Sequence, residues 1–231
     1  IVVARYKGAA AGTGGTVAAG TGTAEGYTVH TFTSGGTLAL NPADLKLAGL
    51  VSGTGALSVN ATGGSVKLSA ANTYSGGTTV SGGTLFGGAD SGTRTAFGSG
   101  AITVGSGAVL RTDHSTLANA LVLAGGTLKG TNGFGESWSG NISLNAMSIV
   151  DVGYSMTLSG NISGAGMLSK AGAGVLNLSG SNSYTGGTQI NAGTLALGSA
   201  GALGSSGTIG FGGGTLQFGA ANTTDYSARA S

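Results

Sequence analysis

The sequence predicts an all-β fold, a right-handed parallel β-helix (solenoid) of about 20 residues per coil. Three features carry the prediction: Gly-led turns recur along the chain, apolar and polar residues alternate with the two-residue period of a strand, and one long motif occurs twice. The expectation covers residues 1–231 as a single segment, with no helix longer than about three turns.

The turns come first. The 231 residues include 50 Gly but 1 Pro and show no Gly-X-Y period, which excludes collagen and Pro-rich linkers and assigns the glycines to turns. Gly36, Gly64, Gly83, Gly107 and Gly126 each open a Gly-(Thr or similar)-apolar turn, and Gly-Thr-Leu recurs at Gly193 and Gly214. SGNIS at residues 139–143 returns at 159–163, a step of about 20 residues that suits one coil. Hairpins in a sandwich would need turns every 8–12 residues or so, a shorter rhythm than this. Hydrophobic residues make up 40%, enough for a thin core of small and branched side chains, which argues against disorder. With no Cys there are no disulfides, so stability must come from stacking.

The long motif fixes which residues point inward. NTYSGGTTVSGGTL at residues 72–85 aligns with NSYTGGTQINAGTL at 182–195, and the likeness extends upstream to 65–71 and 175–181 and downstream to 96–104 and 202–211. The first copy is longer by four residues between Leu85 and Phe97, in GGADSGTRT, and the extra length reads as a turn insertion. Between copies Val66/Leu176, Leu68/Leu178, Val80/Ile190, Leu85/Leu195, Ile102/Ile209 and Val109/Leu216 stay apolar and are expected inside. Lys67/Asn177, Thr79/Gln189 and Ser81/Asn191 stay polar and are expected outside. Asn72 and Asn182 suit left-handed corners or side-chain amide ladders, and Tyr74 and Tyr184, at equivalent positions, read as structural turn residues.

Little in the chain points to chemistry. Charged residues are only 7% of the total, and the net charge is +2. Lys and Arg are scattered from Arg5 and Lys7 through Lys170 to Arg229 without interleaved aromatics, so no nucleic acid is expected as a partner. Asp113, His114 and Ser115 have the residue types of a hydrolase triad, but consecutive strand residues alternate sides and cannot align. His30 sits alone in YTVHTF, and no Gly-rich turn is followed by Gly-Lys-Ser/Thr. Asp44, Asp90, Asp113, Asp151 and Asp225 lack the register of calcium repeats. Phe134 and Trp138 read as packing rather than a sugar platform. No catalytic, cofactor-binding or metal-binding residue is therefore expected, and no cofactor. A polysaccharide lyase is the enzymatic alternative, and Asp90, Arg94, Arg111 and Asp113 are the only place where its carboxylate and base could gather.

A Gly-rich lead into Leu-x-Leu-Ser-Gly, then Asn-x-Tyr-x-Gly-Gly-Thr and a Gly-Thr-Leu strand, stands nearly whole at residues 172–195. It recurs at 63–85 with Ala70 and Ala71 replacing the usual Gly, and residues 215–231 look like sequence that follows such repeats. In this pattern the chain resembles the passenger-associated transport repeats, or autotransporter-associated β-strand repeats, of type V secretion proteins. The resemblance covers about half the chain; residues 1–49 and 112–159 are placed only by coil-like composition. It implies a non-catalytic β-helical stalk of a Gram-negative surface or secreted protein, serving display, adhesion or self-association. The implied partners are a second copy, a host or surface glycan or protein, and the C-terminal outer-membrane β-barrel of the full-length protein. Neither a signal peptide nor that barrel lies in this sequence, which is expected to be a fragment. The resemblance also explains the absence of Cys, since early disulfides would obstruct a chain that crosses the outer membrane unfolded.

Overall fold

The structure, a computed structural model, describes residues 2–7, 12–13, 16–19, 27–32, 36–40, 44–87, 96–113, 116–131 and 135–230. It divides into two units, Ile1–Leu110 and Arg111–Ser231. Among the described residues the structure is strands and turns, and its helical content is one 3-10 turn, Ser227–Arg229.

The first unit opens differently from the expectation. Val2–Lys7 and Thr16–Ala19 both pair antiparallel with Tyr27–Phe32, and Gly12–Thr13 pairs antiparallel with Thr37–Leu40. For Thr16–Ala19 against Tyr27–Phe32, connection length supplies the reason. Only residues 20–26 link two of these strands, which suits antiparallel neighbours, whereas a parallel return needs a crossover of about a dozen residues or more. Parallel pairing begins at Thr37–Leu40, which lies on Ala56–Leu68; that strand lies on Thr78–Gly87, and the latter on Ile102–Gly105. The registers stack Leu57, Thr78 and Ile102 in one column and Val59, Val80 and Val104 in the next.

The second unit repeats one coil more regularly. Its turns of chain build three strips of parallel strands. One contains Leu121–Ala124, Ile142–Leu144 and Ile162–Ser163; another Thr127–Gly130, Ser148–Val152, Leu168–Ala171, Thr188–Ile190 and Ile209–Phe211. The third contains Thr116–Leu117, Glu136–Trp138, Ser155–Leu158, Val175–Leu178, Thr194–Leu197 and Thr215–Phe218. Its inward column runs Leu117, Trp138, Leu158, Leu178, Leu197 and Phe218. Burying each such leucine contributes about 1.5–3 kcal/mol, so the stack is held by repetition of one modest term.

Of the inward set read from the repeats, Val66, Leu68, Val80, Leu85, Ile102, Leu176, Leu178, Ile190, Leu195 and Ile209 are nearly inaccessible, whereas Leu216, in the last coil, is only half-buried. Val109 is a correction. It is half-exposed and Leu110 takes the inward place, because the strand enters from the turn at Gly107 in the opposite phase. The corners hold a similar shift: Gly63 and Gly125, one residue before Gly64 and Gly126, carry the positive φ values of 76° and 87°. Gly83 is obligatory twice over, with φ 70° and no room for a Cβ against the Ala61 carbonyl. The insertion in the first copy also has a packing consequence. Gly87 stands where the second copy has Leu197, and Phe97 fills the space that a side chain there would occupy.

The Asn-x-Tyr pair does more than turn the chain. Asn72 Oδ1 accepts from the Val51 N–H (2.8 Å) and its Nδ2 donates to the Ala96 carbonyl (2.6 Å). Asn182 does the same between Ile162 (2.8 Å) and Ala202 (2.5 Å). Each buried amide therefore staples the coil before to the coil after, with no asparagine stacked on it. The amide ladder forms elsewhere, on an exposed corner, where Asn141 Oδ1 accepts from the Asn161 N–H (3.1 Å) and Asn161 Oδ1 from the Ser181 N–H (3.0 Å). Tyr74 and Tyr184 are fully buried core residues, their hydroxyls 2.6 Å and 2.7 Å from Thr78 and Thr188 Oγ1. Gly98 and Gly204, in the AFG and ALG segments of the two copies, leave room for these rings.

Burial pushes both phenols above their ordinary value of 10.0. A group whose folded value is raised contributes stability that is complete below its unfolded value and lost as pH climbs above it. The loss approaches about 1.4 kcal/mol per pH unit for each tyrosine. Lys170, lowered by burial, acts oppositely, but it is one group against two. Melting temperature should fall steeply above pH 10, and replacing Tyr74 and Tyr184 by Phe should flatten that fall. Thermal melts between pH 8 and pH 12 check it.

Candidate functional surface

In the second unit the outward side chains of the three strips differ in charge and in how their hydrogen bonds are used. On the strip through Lys129 and Asp151, these two are Cα partners joined by a 2.6 Å ion pair. Nearby, Arg111 Nε donates to Thr131 Oγ1 (3.2 Å), and Asn191 Nδ2 to Ser169 Oγ (3.0 Å). At the start of the strip through Ile142 and Ile162, Ser143 Oγ donates to Asn145 Oδ1 (2.9 Å), and the Asn141 and Asn161 amides are bound into the corner ladder.

The third strip is different. Its outward columns run Ser137, Thr157, Asn177, Ala196, Gln217 and Ser155, Val175, Thr194, Thr215, without a charged residue. None of the hydroxyl and amide side chains in these columns is hydrogen-bonded within the described residues. Val175 is 38% exposed, and Tyr154, just before Ser155, is 62% exposed at the margin. The result is a neutral, hydroxyl- and amide-bearing sheet face whose hydrogen-bonding capacity is available to a partner.

Two charged residues lie inside. Lys170 continues the column of Val150 and Ile190, and its Nζ donates to the Ala171, Gly172 and Ala192 carbonyls (2.8, 2.7 and 3.1 Å). Burial holds its ammonium below the usual lysine range, opposed by Asp151. Glu136 is the Cα partner of Met156, is buried, and accepts from Thr112 Oγ1 (2.9 Å); Gly130 leaves the space beside its carboxylate. Composition alone reads these two as scattered charges. The signal was their phase, two residues from the inward Leu168 and Trp138 respectively.

Of the residues weighed for chemistry, Asp90, Arg94, His114, Ser115 and Phe134 lie outside the described residues. Arg111 lies in the strand Val109–Thr112, turned to Thr131, and Asp113 follows that strand. His30 lies in a strand opposite Ala4 and Val17. Trp138 is buried and donates from Nε1 to the Asn119 carbonyl (2.9 Å), the packing role expected. Among the described residues no three His, Asp or Glu gather as a metal site. A depression of about 360 Å³ lies at the last coil, lined by Ile209, Phe211, Leu216, Phe218 and Tyr226 among others. Most of its lining is apolar, with Thr224, Asp225 and Ser227 contributing polar groups.

Comparison with known proteins agrees with this picture of coils. The passenger-associated-transport-repeat family matches residues 63–85 and 168–197, the segments that hold the two Asn staples. The BmaC autotransporter adhesin of Brucella suis biovar 1 (strain 1330) is 34% identical over 129 residues. That alignment covers 54% of this chain and 3% of the adhesin, so the chain spans a small part of the curated relative it matches. No solved structure matches the chain. The two segments that hold the paired repeats and their matching staples are thus similar to passenger-associated transport repeats, and part of the chain is similar to an autotransporter adhesin.

Proposed function

We propose that residues 1–231 act as one non-catalytic passenger segment that is displayed at the surface of a Gram-negative cell and serves adhesion or self-association. The full-length protein would be anchored by, or released from, its own C-terminal outer-membrane β-barrel. One observation carries the reading: the most regular sheet of the coil stack presents an uncharged face with its hydrogen bonds free, while the ionisable groups are dispersed or used internally. A contact surface requires the first property; acid/base catalysis requires titratable groups close enough to perturb one another. The relative described as an adhesin supports the same direction.

The test is display of the full-length protein on a non-adherent Gram-negative strain. Gain of cell aggregation or surface attachment, with no turnover of acidic or neutral glycans, is the expected outcome. Glycan turnover that disappears when Asp90, Arg94, Arg111, Asp113 and His114 are replaced by Ser or Asn would establish the lyase alternative instead.

A further inference from the structure

We propose that Asn141 and Asn161 are acceptors of amide-linked glycosylation, each carrying one neutral pyranose sugar on its Nδ2. Both stand in the repeated SGNIS motif, where Asn-Ile-Ser has the Asn-x-Ser/Thr form that sugar transferases recognise at the surface of secreted proteins. Neither residue belongs to the neutral face, and neither has a part in the proposed adhesion.

The corner geometry selects these two. Each is exposed, each immediately precedes a strand, Ile142–Leu144 or Ile162–Ser163, and the two lie on successive coils. Asn141 Oδ1 accepts from the Asn161 N–H (3.1 Å), and Asn161 Oδ1 from the Ser181 N–H (3.0 Å). A backbone N–H requires an acceptor, so the carbonyl limb of each amide is fixed toward the next coil and the Nδ2 limb points away from it. Among the described residues neither Nδ2 donates a hydrogen bond. Nδ2 is the atom that takes the sugar, and the substituted amide keeps its oxygen, so the modified residue still holds the ladder. Asn222-Thr223-Thr224 has the same sequence form and the opposite geometry. Asn222 is buried, and its Nδ2 donates to the Ser199 carbonyl (2.6 Å) and the Tyr226 hydroxyl (3.2 Å), bonds that a sugar there would break. Asn60-Ala61-Thr62 and Asn177-Leu178-Ser179 share the form too, but both asparagines lie inside strands rather than at a corner.

Spacing sets the class of sugar. Successive coils lie about 4.8 Å apart, close to the thickness of one pyranose ring, so two single rings stack along the corner whereas branched chains collide. Charged sugars would repel at that spacing, which leaves neutral ones. The transfer uses a sugar activated as its nucleoside diphosphate and a separate transferase. Asn Nδ2 forms a bond to the anomeric carbon, and the bond from that carbon to the phosphate oxygen breaks. The nucleoside diphosphate leaves with the electron pair, and one Nδ2 proton passes to a base of the transferase.

The experiment uses the full-length protein recovered from its native cells. Trypsin cuts after Lys129 and Lys170 and releases residues 130–170, which hold both sites. Mass spectrometry of that peptide should show two increments of one sugar each, located at Asn141 and Asn161. Both should survive mild alkaline β-elimination, which would release a sugar from Ser. Asn141→Gln and Asn161→Gln should each remove one increment. Ser143→Ala and Ser163→Ala should remove the same increments although the asparagines remain, whereas Ser143→Thr and Ser163→Thr should keep them. Each reading is a peptide mass, so it stands whether or not a variant folds. An unmodified parent peptide, alkali-labile increments, or increments that persist in Ser143→Ala and Ser163→Ala would overturn the inference. A sugar on Asn222 would overturn the geometric selection, and chains of several sugars would overturn the single-ring assignment.

Discussion

Replacing Leu178 by Asp is expected to abolish compact folding of the second unit. Leu178 is inaccessible and lies between Leu158 and Leu197 in the longest inward column. The substitution removes about 2–3 kcal/mol of leucine burial and places a carboxylate, without a cation beside it in the column, where water is excluded. Leaving a buried charge unpaired costs about 3–5 kcal/mol more. The sum is comparable with the whole stability of a typical domain, about 5–15 kcal/mol. Asn177→Asp, one residue away but outward, should change stability by no more than about 0.5 kcal/mol. Circular dichroism melts of the two variants separate these cases, and a Leu178→Asp protein that melts with the parent would refute the inward assignment.

The second large effect is expected at the staples. In Asn182→Ala the Ile162 N–H and the Ala202 carbonyl, buried in adjacent coils, lose their partner together. Each unsatisfied group costs about 1–3 kcal/mol, so the variant should lose about 2–6 kcal/mol. Asn161→Ala removes one bond on an exposed corner, where water takes the place of the amide, and should cost less than about 1 kcal/mol. Equal losses in the two variants, measured by denaturant unfolding, would show that Asn182 is an ordinary turn residue.

These contrasts mark how far the sequence could be read. The inward positions of Leu68, Leu85, Leu178 and Leu195 were legible because two copies agreed on every second residue. Asn72 and Asn182 were legible as special positions but not as staples, since their partners lie about 20 residues away on either side and carry no signature of their own. Lys170 and Glu136 share the inward phase, yet composition treats a charge as outward; their burial depends on corner carbonyls and on the gap at Gly130. Val109 failed because a strand of four residues after a turn can start in either phase. The neutral face was hidden for a related reason. The outward residues of Lys67/Asn177 and Thr79/Gln189 alternate alike, and only the positions of the corners assign Asn177 to an uncharged strip and Gln189 to the strip shared with Lys129 and Asp151.

The central claim is that in the second unit each coil lies directly on the one before, parallel and in fixed register. The chain has no Cys, so an introduced pair reports without interference. Thr157 and Asn177 are Cα partners on adjacent strands, within disulfide reach, whereas Thr157 and Ser179 are displaced along the strand beyond the ~7 Å limit. Under mild oxidation the Thr157→Cys, Asn177→Cys protein should cross-link nearly completely, with its unfolding midpoint unchanged or raised. The Thr157→Cys, Ser179→Cys protein should stay reduced. Cross-linking of the second pair in place of the first would contradict the parallel register on which the columns, the staples and the neutral face all depend.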